Sequence, residues 1–553
     1  MSICFQARRI WFAAALPLVL VPLTACHTAK NPAPQLIVTI QTGQIKGVPG
    51  PGLVAFKGIP YAAPPVGKNR WRAPQPAADW KGVRDATKYG SDCMQLPFPS
   101  DAAPMGTTPN EDCLYINVWT PDHNADANLP VMVWIYGGGF VNGGSSPAVY
   151  SGRHFAQGGV VFVSFNYRVG RFGFFAFPAL SKEEAGKPLG NYAYMDQIAA
   201  LQWVQRNIHA FGGNPKDVTI FGESAGGASV LALLTSPVTG GLFERAIVES
   251  GGGRDAILGA RYLDKTSPAG LPSEEQLGIN FAKANGIDGT GEAALAALRA
   301  LPAEKIVDGL NMASMGKQSN IYGGPIIDGK IVTSTPQQAL ESGHYWKVPL
   351  IIGGNSADIG FPMWHTLPAI WAAFGPKASE AKAAFDPSGK GTAMQIGFRI
   401  AGEMMMLEPA RFVAGTLAAD GVPSYEYRFS YVAKSLLGKW IGAYHASEIP
   451  YVFDTVAAKY GSALAPSDAA IAKQTNEYWV NFVKTGNPNG PGLPDWPAYH
   501  FASDKLMNFT EHGPVGEADP WKKQLDLVEG LEQRMAAMQK SRSSAKANAS
   551  SSQ

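Results

Sequence analysis

The longest apolar stretches of the chain are continuous rather than alternating: Pro130–Tyr136, Val160–Phe165, Ala246–Val248 and Val348–Ile352 contain almost no polar residue. Runs of this kind predict strands covered on both faces, as in a mostly parallel sheet, whereas a half-exposed strand would alternate. Between them Asn191–Phe211 repeats its apolar positions at helical spacing, and the succession of strand, helix and strand predicts a βαβ scaffold. Upstream, Ile37–Ile40 and Gly43–Val48 read as a first hairpin. Downstream, Ser273–Gly309 sets Ala and Leu at helical spacing, which predicts packing helices.

One apolar run ends differently. Thr219–Phe221 breaks at Gly222-Glu223-Ser224-Ala225-Gly226 and continues into small, helix-compatible residues. The pattern predicts a strand, a sharp turn and a helix, with glycines beside Ser224 where a Cβ would collide with the adjoining backbone. Such a turn strains the serine and exposes its hydroxyl at the carboxyl edge of the sheet, as a nucleophile requires. In a chain this rich in glycine, roughly four in ten such sequences would contain the pentapeptide by chance, so its context decides its meaning. Pro130–Tyr136 adds to that context by ending in Gly137-Gly138-Gly139-Phe140. Bare glycine amides after a buried strand can converge on an oxygen that becomes negative during acyl transfer.

Composition narrows the classes without naming one. The 553 residues are 46% hydrophobic and 16% charged, which describes a folded protein with an ample core. A formal net charge of +2 gives no footprint for nucleic acid, and the many Gly and Pro residues predict long structured loops around one large domain. At the N-terminus, Arg8 and Arg9 precede an apolar run from Ile10 to Val21 that is too short for a permanent membrane helix and fits an export signal. It ends in Leu23-Thr24-Ala25-Cys26, which resembles a bacterial lipobox in which Cys26 becomes the lipidated first residue. The expected organisation is a signal peptide over 1–25, a tether over 26–36, a single domain over 37–535 and a polar, disordered tail over 536–553.

Three segments in order carry a family likeness. Phe56-Lys57-Gly58-Ile59-Pro60-Tyr61-Ala62, Glu111-Asp112-Cys113-Leu114-Tyr115-Ile116-Asn117-Val118 and the stretch around Ser224 resemble the type-B carboxylesterase family, the carboxylesterase and cholinesterase branch of the α/β-hydrolases. The resemblance extends from about Ile37 to about Gln533. It implies an α/β-hydrolase fold, a central mostly parallel twisted sheet with helices on both faces and long insertions. It also implies a serine carboxylic-ester hydrolase acting on a small-molecule ester, with no metal and no cofactor. By the same likeness Gly138, Gly139 and Ala225 form the oxyanion hole, Glu223 and Ser250 support the site, and Cys93 pairs with Cys113. That pairing leaves Cys26 for lipid, which would hold the protein on a membrane facing the periplasm.

The triad order in this fold is serine, acid, histidine. Gly442-Ala443-Tyr444-His445-Ala446-Ser447-Glu448 resembles the family's histidine loop and makes His445 the base; His365, His500 and His512 fit poorly. The acid follows the strand ending at Gly354, in Asn355-Ser356-Ala357-Asp358-Ile359-Gly360. Relatives mostly carry Glu there. Counting from Asn355 puts Asp358 at that position, and counting back from Gly360 puts Ile359 there; Asp358 is the assignment, with a helix cap as its bland alternative. The same machinery would also serve an amide or carbamate hydrolase, and the family has non-catalytic adhesion members. The loop Met94–Asp112 holds Phe98 as its only aromatic, which argues against a cation site of the cholinesterase kind. Phe140, Phe361, Trp364, Trp371 and Trp440 lie beside the oxyanion, acid and base segments, where the family builds its gorge; the resemblance thus implies an apolar pocket for neutral, fairly hydrophobic esters, with ordinary core packing as the alternative for these side chains.

Overall fold

The computed structural model describes residues 36–98, 102–121, 124–255 and 260–550, with side chains to residue 538. The expected export signal and Cys26 lie outside the described residues. Eleven strands form the main sheet. In chain order they are β1 (Val48–Gly50), β2 (Leu53–Pro60), β3 (Tyr115–Thr120), β4 (Leu129–Ile135), β5 (Val161–Phe165) and β6 (Gly213–Glu223). Then come β7 (Arg245–Glu249), β8 (Leu350–Asn355), β9 (Ser424–Phe429), β10 (Lys505–Thr510) and β11 (Gly513–Ala518). The spatial order is β11-β10-β9-β8-β7-β6-β4-β5-β3-β2-β1. Neighbours from β10 through to β5 pair in parallel, and both flanks close with antiparallel strands. The predicted first hairpin stands apart: Ile37–Ile40 pairs antiparallel with Gly43–Lys46 in a small three-stranded sheet.

The continuous apolar runs account for this arrangement. Every residue of β5, β8 and β9 is buried, as strands with helices over both faces must be. The strand after Trp346 begins at Leu350 rather than earlier, because Pro349 has no N–H for a ladder. The helices that frame the site are α1 (Tyr192–Asn207), α2 (Ala225–Thr235), α3 (Ala393–Gly402), α4 (Glu408–Ala419), α5 (Pro466–Thr485) and α6 (Lys522–Ser550). The α1 segment follows the predicted Asn191–Phe211 closely, adding a 3₁₀ turn over Ile208–Phe211 that Gly212 ends at φ 80°, the left-handed stop glycine supplies. The Ser273–Gly309 region forms three short helices, the first capped by Ser273, whose side chain accepts from the Gln276 N–H.

The last helix differs from the sequence expectation of a polar tail from 536. It starts inside the domain, where Leu525, Val528 and Leu531 are buried, and runs on without a break to Ser550. Its continuation is rich in Ala, with Lys, Gln, Arg and Met, which extend a nucleated helix at little cost even without an apolar stripe and outnumber the weaker helix formers Ser and Asn among them.

Candidate active site

The sheet reverses its order at β4, which lies between β5 and β6 although it precedes both, and ligands of open α/β sheets gather at the carboxyl ends beside such a reversal. Here β6 ends at Glu223 and α2 begins at Ala225, so Ser224 alone makes the turn, at φ 57° and ψ −121°. A Cβ on Gly222 would come within 2.6 Å of the Ile135 carbonyl oxygen, and one on Gly226 within 2.0 Å of the same atom. No side chain fits there, so the two glycines let β4 press against the turn and hold the serine in its strained conformation.

The other two predicted triad residues come from separate loops and meet Ser224. His445 Nε2 lies 2.8 Å from Ser224 Oγ, and its Nδ1 lies 2.6 Å from Asp358 Oδ1. It is the Asp358 carboxylate that contacts the histidine, while Ile359 contributes its amide, which donates to Asp358 Oδ1 at 2.7 Å. Nor does Asp358 cap a helix, since the next one begins at Leu367. Its other oxygen accepts from the Asn355 amide at 2.8 Å and from the Ser250 hydroxyl at 2.7 Å. Four donors therefore fix one carboxylate, and its side chain is fully buried. Burial favours the neutral acid, but the charge and hydrogen bond of His445, with the Asn355 and Ser250 donors, outweigh it and hold Asp358 below its ordinary range.

Electrostatics around the histidine are dominated by carboxylates. Glu223 Oε1 stands 3.2 Å from Nε2. Burial opposes a charge on the ring, yet Glu223, Asp358 and Glu448 together outweigh it and push His445 up to about 10. Two further acids sit behind. Glu448 accepts from Asn355 Nδ2, which also donates to the Tyr444 carbonyl at 2.8 Å and so ties the loop of His445 to β8. Burial pushes Glu448 up to about 7. Glu249, paired in register with Glu223 on the adjacent strand, accepts from Trp479 Nε1 of α5 at 2.7 Å. Burial, with Glu448 and Glu223 nearby, drives it well above its ordinary range. The sequence patterns did not single out Asn355, Glu249 or Trp479, because their partners are distant in the chain.

The glycine loop after β4 turns on the Gly138 carbonyl, which accepts from Val141 at 3.1 Å and Asn142 at 2.9 Å. Gly138 and Gly139 have φ of 108° and 61°. A Cβ on Gly139 would lie 3.5 Å from Met312 Cγ and Met315 Sδ, so two methionines wall this side. Behind the loop, Tyr136 and Tyr167 stack at 4.2 Å and exchange hydroxyl-to-carbonyl hydrogen bonds of 2.7 and 2.6 Å, which anchors the strand end. Cys93 and Cys113 form a disulfide.

The aromatic residues expected around the pocket divide. Trp364 and Trp371 pack on a satellite core with Ile370, Phe374 and Phe385, and Phe140 meets Phe174 edge-on at 5.3 Å. Phe361 is 55% exposed, and Trp440 meets Tyr444, the residue before His445, at a tilt with centroids 4.7 Å apart. His365, His500 and His512 are exposed and take no part in the triad.

The Carboxylesterase family model matches residues 34–372 and 382–519. Fumonisin B1 esterase of Sphingopyxis macrogoltabida is 34% identical over 508 residues, 88% of this chain and 89% of its own. Para-nitrobenzyl esterase of Bacillus subtilis (strain 168) is 36% identical over 485 residues, 84% of this chain and 92% of its own. Cocaine esterase of Homo sapiens is 33% identical over 532 residues, covering 87% and 89%. A solved PNB esterase superposes with a TM-score of 0.75 at 31% identity, covering 89% of this chain and 99% of its own, which makes the fold that of the α/β-hydrolases. With a family model across most of its length and esterases matched nearly end to end, this chain belongs to the carboxylesterase family and is a serine carboxylic-ester hydrolase.

Proposed function

We propose that Ser224 is the nucleophile of this hydrolase, His445 its general base and Asp358 the group that orients the histidine. The observation that carries the reading is the continuous chain of contacts from Asp358 Oδ1 through His445 to Ser224 Oγ, at 2.6 and 2.8 Å. Ser224 Oγ attacks the ester carbonyl as its proton passes to His445 Nε2, and Asp358 and Glu223 stabilise the imidazolium that forms. The Gly138, Gly139 and Ala225 amides take the negative charge on the former carbonyl oxygen. His445 then protonates the departing alkoxide, and water attacks the acyl-enzyme by the reverse sequence, releasing acid and free Ser224. Ser224→Ala removes the nucleophile and leaves the turn its shape, so a folded variant should lose nearly all hydrolysis of an aryl ester. Near-wild-type turnover in that variant would overturn the assignment.

The favoured substrates are neutral, fairly hydrophobic esters. Supporting this are the methionine wall at Gly139 and a disulfide loop with no tryptophan or tyrosine. Relatives are named for esters as different as para-nitrobenzyl, cocaine and fumonisin B1, so what they share is the ester itself. Butyrylcholine and its neutral 3,3-dimethylbutyl isostere should have similar kcat/KM; a strong advantage for the cation would refute the preference. We further propose export and anchoring through lipidated Cys26, a reading supported by Leu23-Thr24-Ala25-Cys26 and by a disulfide suited to an oxidising compartment. Intact mass spectrometry of the mature protein tests it: a chain starting at Cys26 with acyl mass supports the anchor, and one starting at His27 or later excludes it.

A further inference from the structure

Exposed apolar side chains scattered singly need no explanation, but a cluster around a catalytic site does. Here the cluster comes from three neighbouring segments. Ile441 is 83% exposed, Met394 71%, Phe361 55%, Phe398 50%, Leu437 46% and Tyr444 38%. Phe361 lies three residues after Asp358, and Tyr444 immediately precedes His445. The acid segment bridges the other two. On one side the Ala357 amide donates to the Ala443 carbonyl at 2.8 Å and Ala357 pairs with Tyr444. On the other, a Cβ on Gly397 of α3 would meet Pro362 Cβ at 3.3 Å, and one on Gly360 would meet the Gly402 amide nitrogen at 2.3 Å. The apolar side chains therefore rise from the same packed unit that holds acid and base.

The charge pattern of these segments is one-sided. Residues 359–376 and 391–398 contain no Asp, Glu, Lys or Arg, and in 430–447 the only such residues are Lys434 and Lys439. A surface without carboxylates gives up no strongly hydrated anion when it leaves water, and two lysines can extend their heads past an apolar layer while their stems remain in it.

We propose that this rim seats the enzyme on the surface of aggregated, water-insoluble esters, so that it hydrolyses them in emulsion faster than in solution. The proposal rests on the ester-hydrolase activity and adds to it the physical state of the substrate. An ester droplet offers an apolar face to Ile441, Met394 and Phe398. Hydrolysis converts ester and water to alcohol and carboxylate, so product acid collecting at the surface gives Lys434 and Lys439 a negative counterpart.

The test measures rate against tributyrin concentration through its solubility limit, with p-nitrophenyl acetate as the dissolved control. The full chain is compared with the triple variant Met394→Ser, Phe398→Ser, Ile441→Ser. Both proteins have the same N-terminus, so any anchor is common to both. Wild type should rise stepwise, by about tenfold or more, once droplets form, since each large side chain leaving water is worth about a decade of affinity. The variant should lose the step and keep its p-nitrophenyl acetate rate within about twofold, because the replaced side chains are exposed. A wild-type curve that saturates below the solubility limit overturns the proposal, and so does a variant that keeps the step. A dimer that the triple variant dissolves, with no step in wild type, also overturns it by assigning the rim to a second copy. Failure of wild type on p-nitrophenyl acetate would instead count against the hydrolase reading itself.

Discussion

Replacing Glu223 by glutamine isolates the carboxylate that faces the Nε2 of the proposed base. Glu223 Oε1 lies 3.2 Å from His445 Nε2 and is almost wholly buried. At an effective dielectric of about 20, unit charges that far apart attract by about 5 kcal/mol, and one pKa unit corresponds to about 1.4 kcal/mol. Glutamine keeps a dipole at the same place and the site relaxes around it, so the net change should be about one to three units. The sign follows from the active form: the base works as the neutral ring, and a raised pKa means that activity disappears as pH falls through a value above the ordinary 6.5. In wild type the acid limb of kcat/KM should therefore lie above 6.5, and in Glu223→Gln it should move toward lower pH. Turnover at the optimum should fall by about tenfold, because the imidazolium formed during attack loses a stabilising charge. The assay is a stopped-time aryl-ester pH series, with circular dichroism confirming the fold. An unmoved limb, or one shifted to higher pH, would refute the electrostatic reasoning.

Three more substitutions probe the scaffold of the site. Asp358→Asn should lower kcat by about 10³–10⁴-fold with little change in melting temperature, as the amide cannot hold His445 in the required tautomer; Glu448→Gln, which mimics the neutral acid, should cost less than about tenfold, and equal losses would show that Asp358 has no special role. Gly226→Ala puts a methyl 2.0 Å from the Ile135 carbonyl oxygen, so it should destabilise by about 1–3 kcal/mol or more and abolish activity, read by urea unfolding and turnover together.

The chain itself declared the parts of this site that depend on local backbone. Ser224 was legible because a buried strand, two glycines and small helical residues follow one another without interruption, and each has a steric reason. His445 and Asp358 were reached through family likeness, and the count at Asp358 stayed ambiguous because loop residues have no periodicity to index them. The Asn355–Glu448 bond and the Glu249–Trp479 bond span 93 and 230 residues, so no local pattern announces them. The aromatics show the same limit: Trp364 and Trp371 are close to the acid in sequence, but which way each faces is decided by the satellite core with Ile370. The final helix was obscured for a different reason, since beyond residue 535 Ala, Lys, Arg, Gln and Met are mixed with Ser and Asn and show no apolar stripe.

The central claim, that Ser224 is an activated nucleophile, is tested most directly by labelling the native protein with a fluorophosphonate and mapping the adduct. The account predicts one adduct per chain, on the peptide containing Ser224, absent after denaturation and absent in Ser224→Ala. No adduct on the folded, hydrolytically active protein, or an adduct on any other serine, would contradict it.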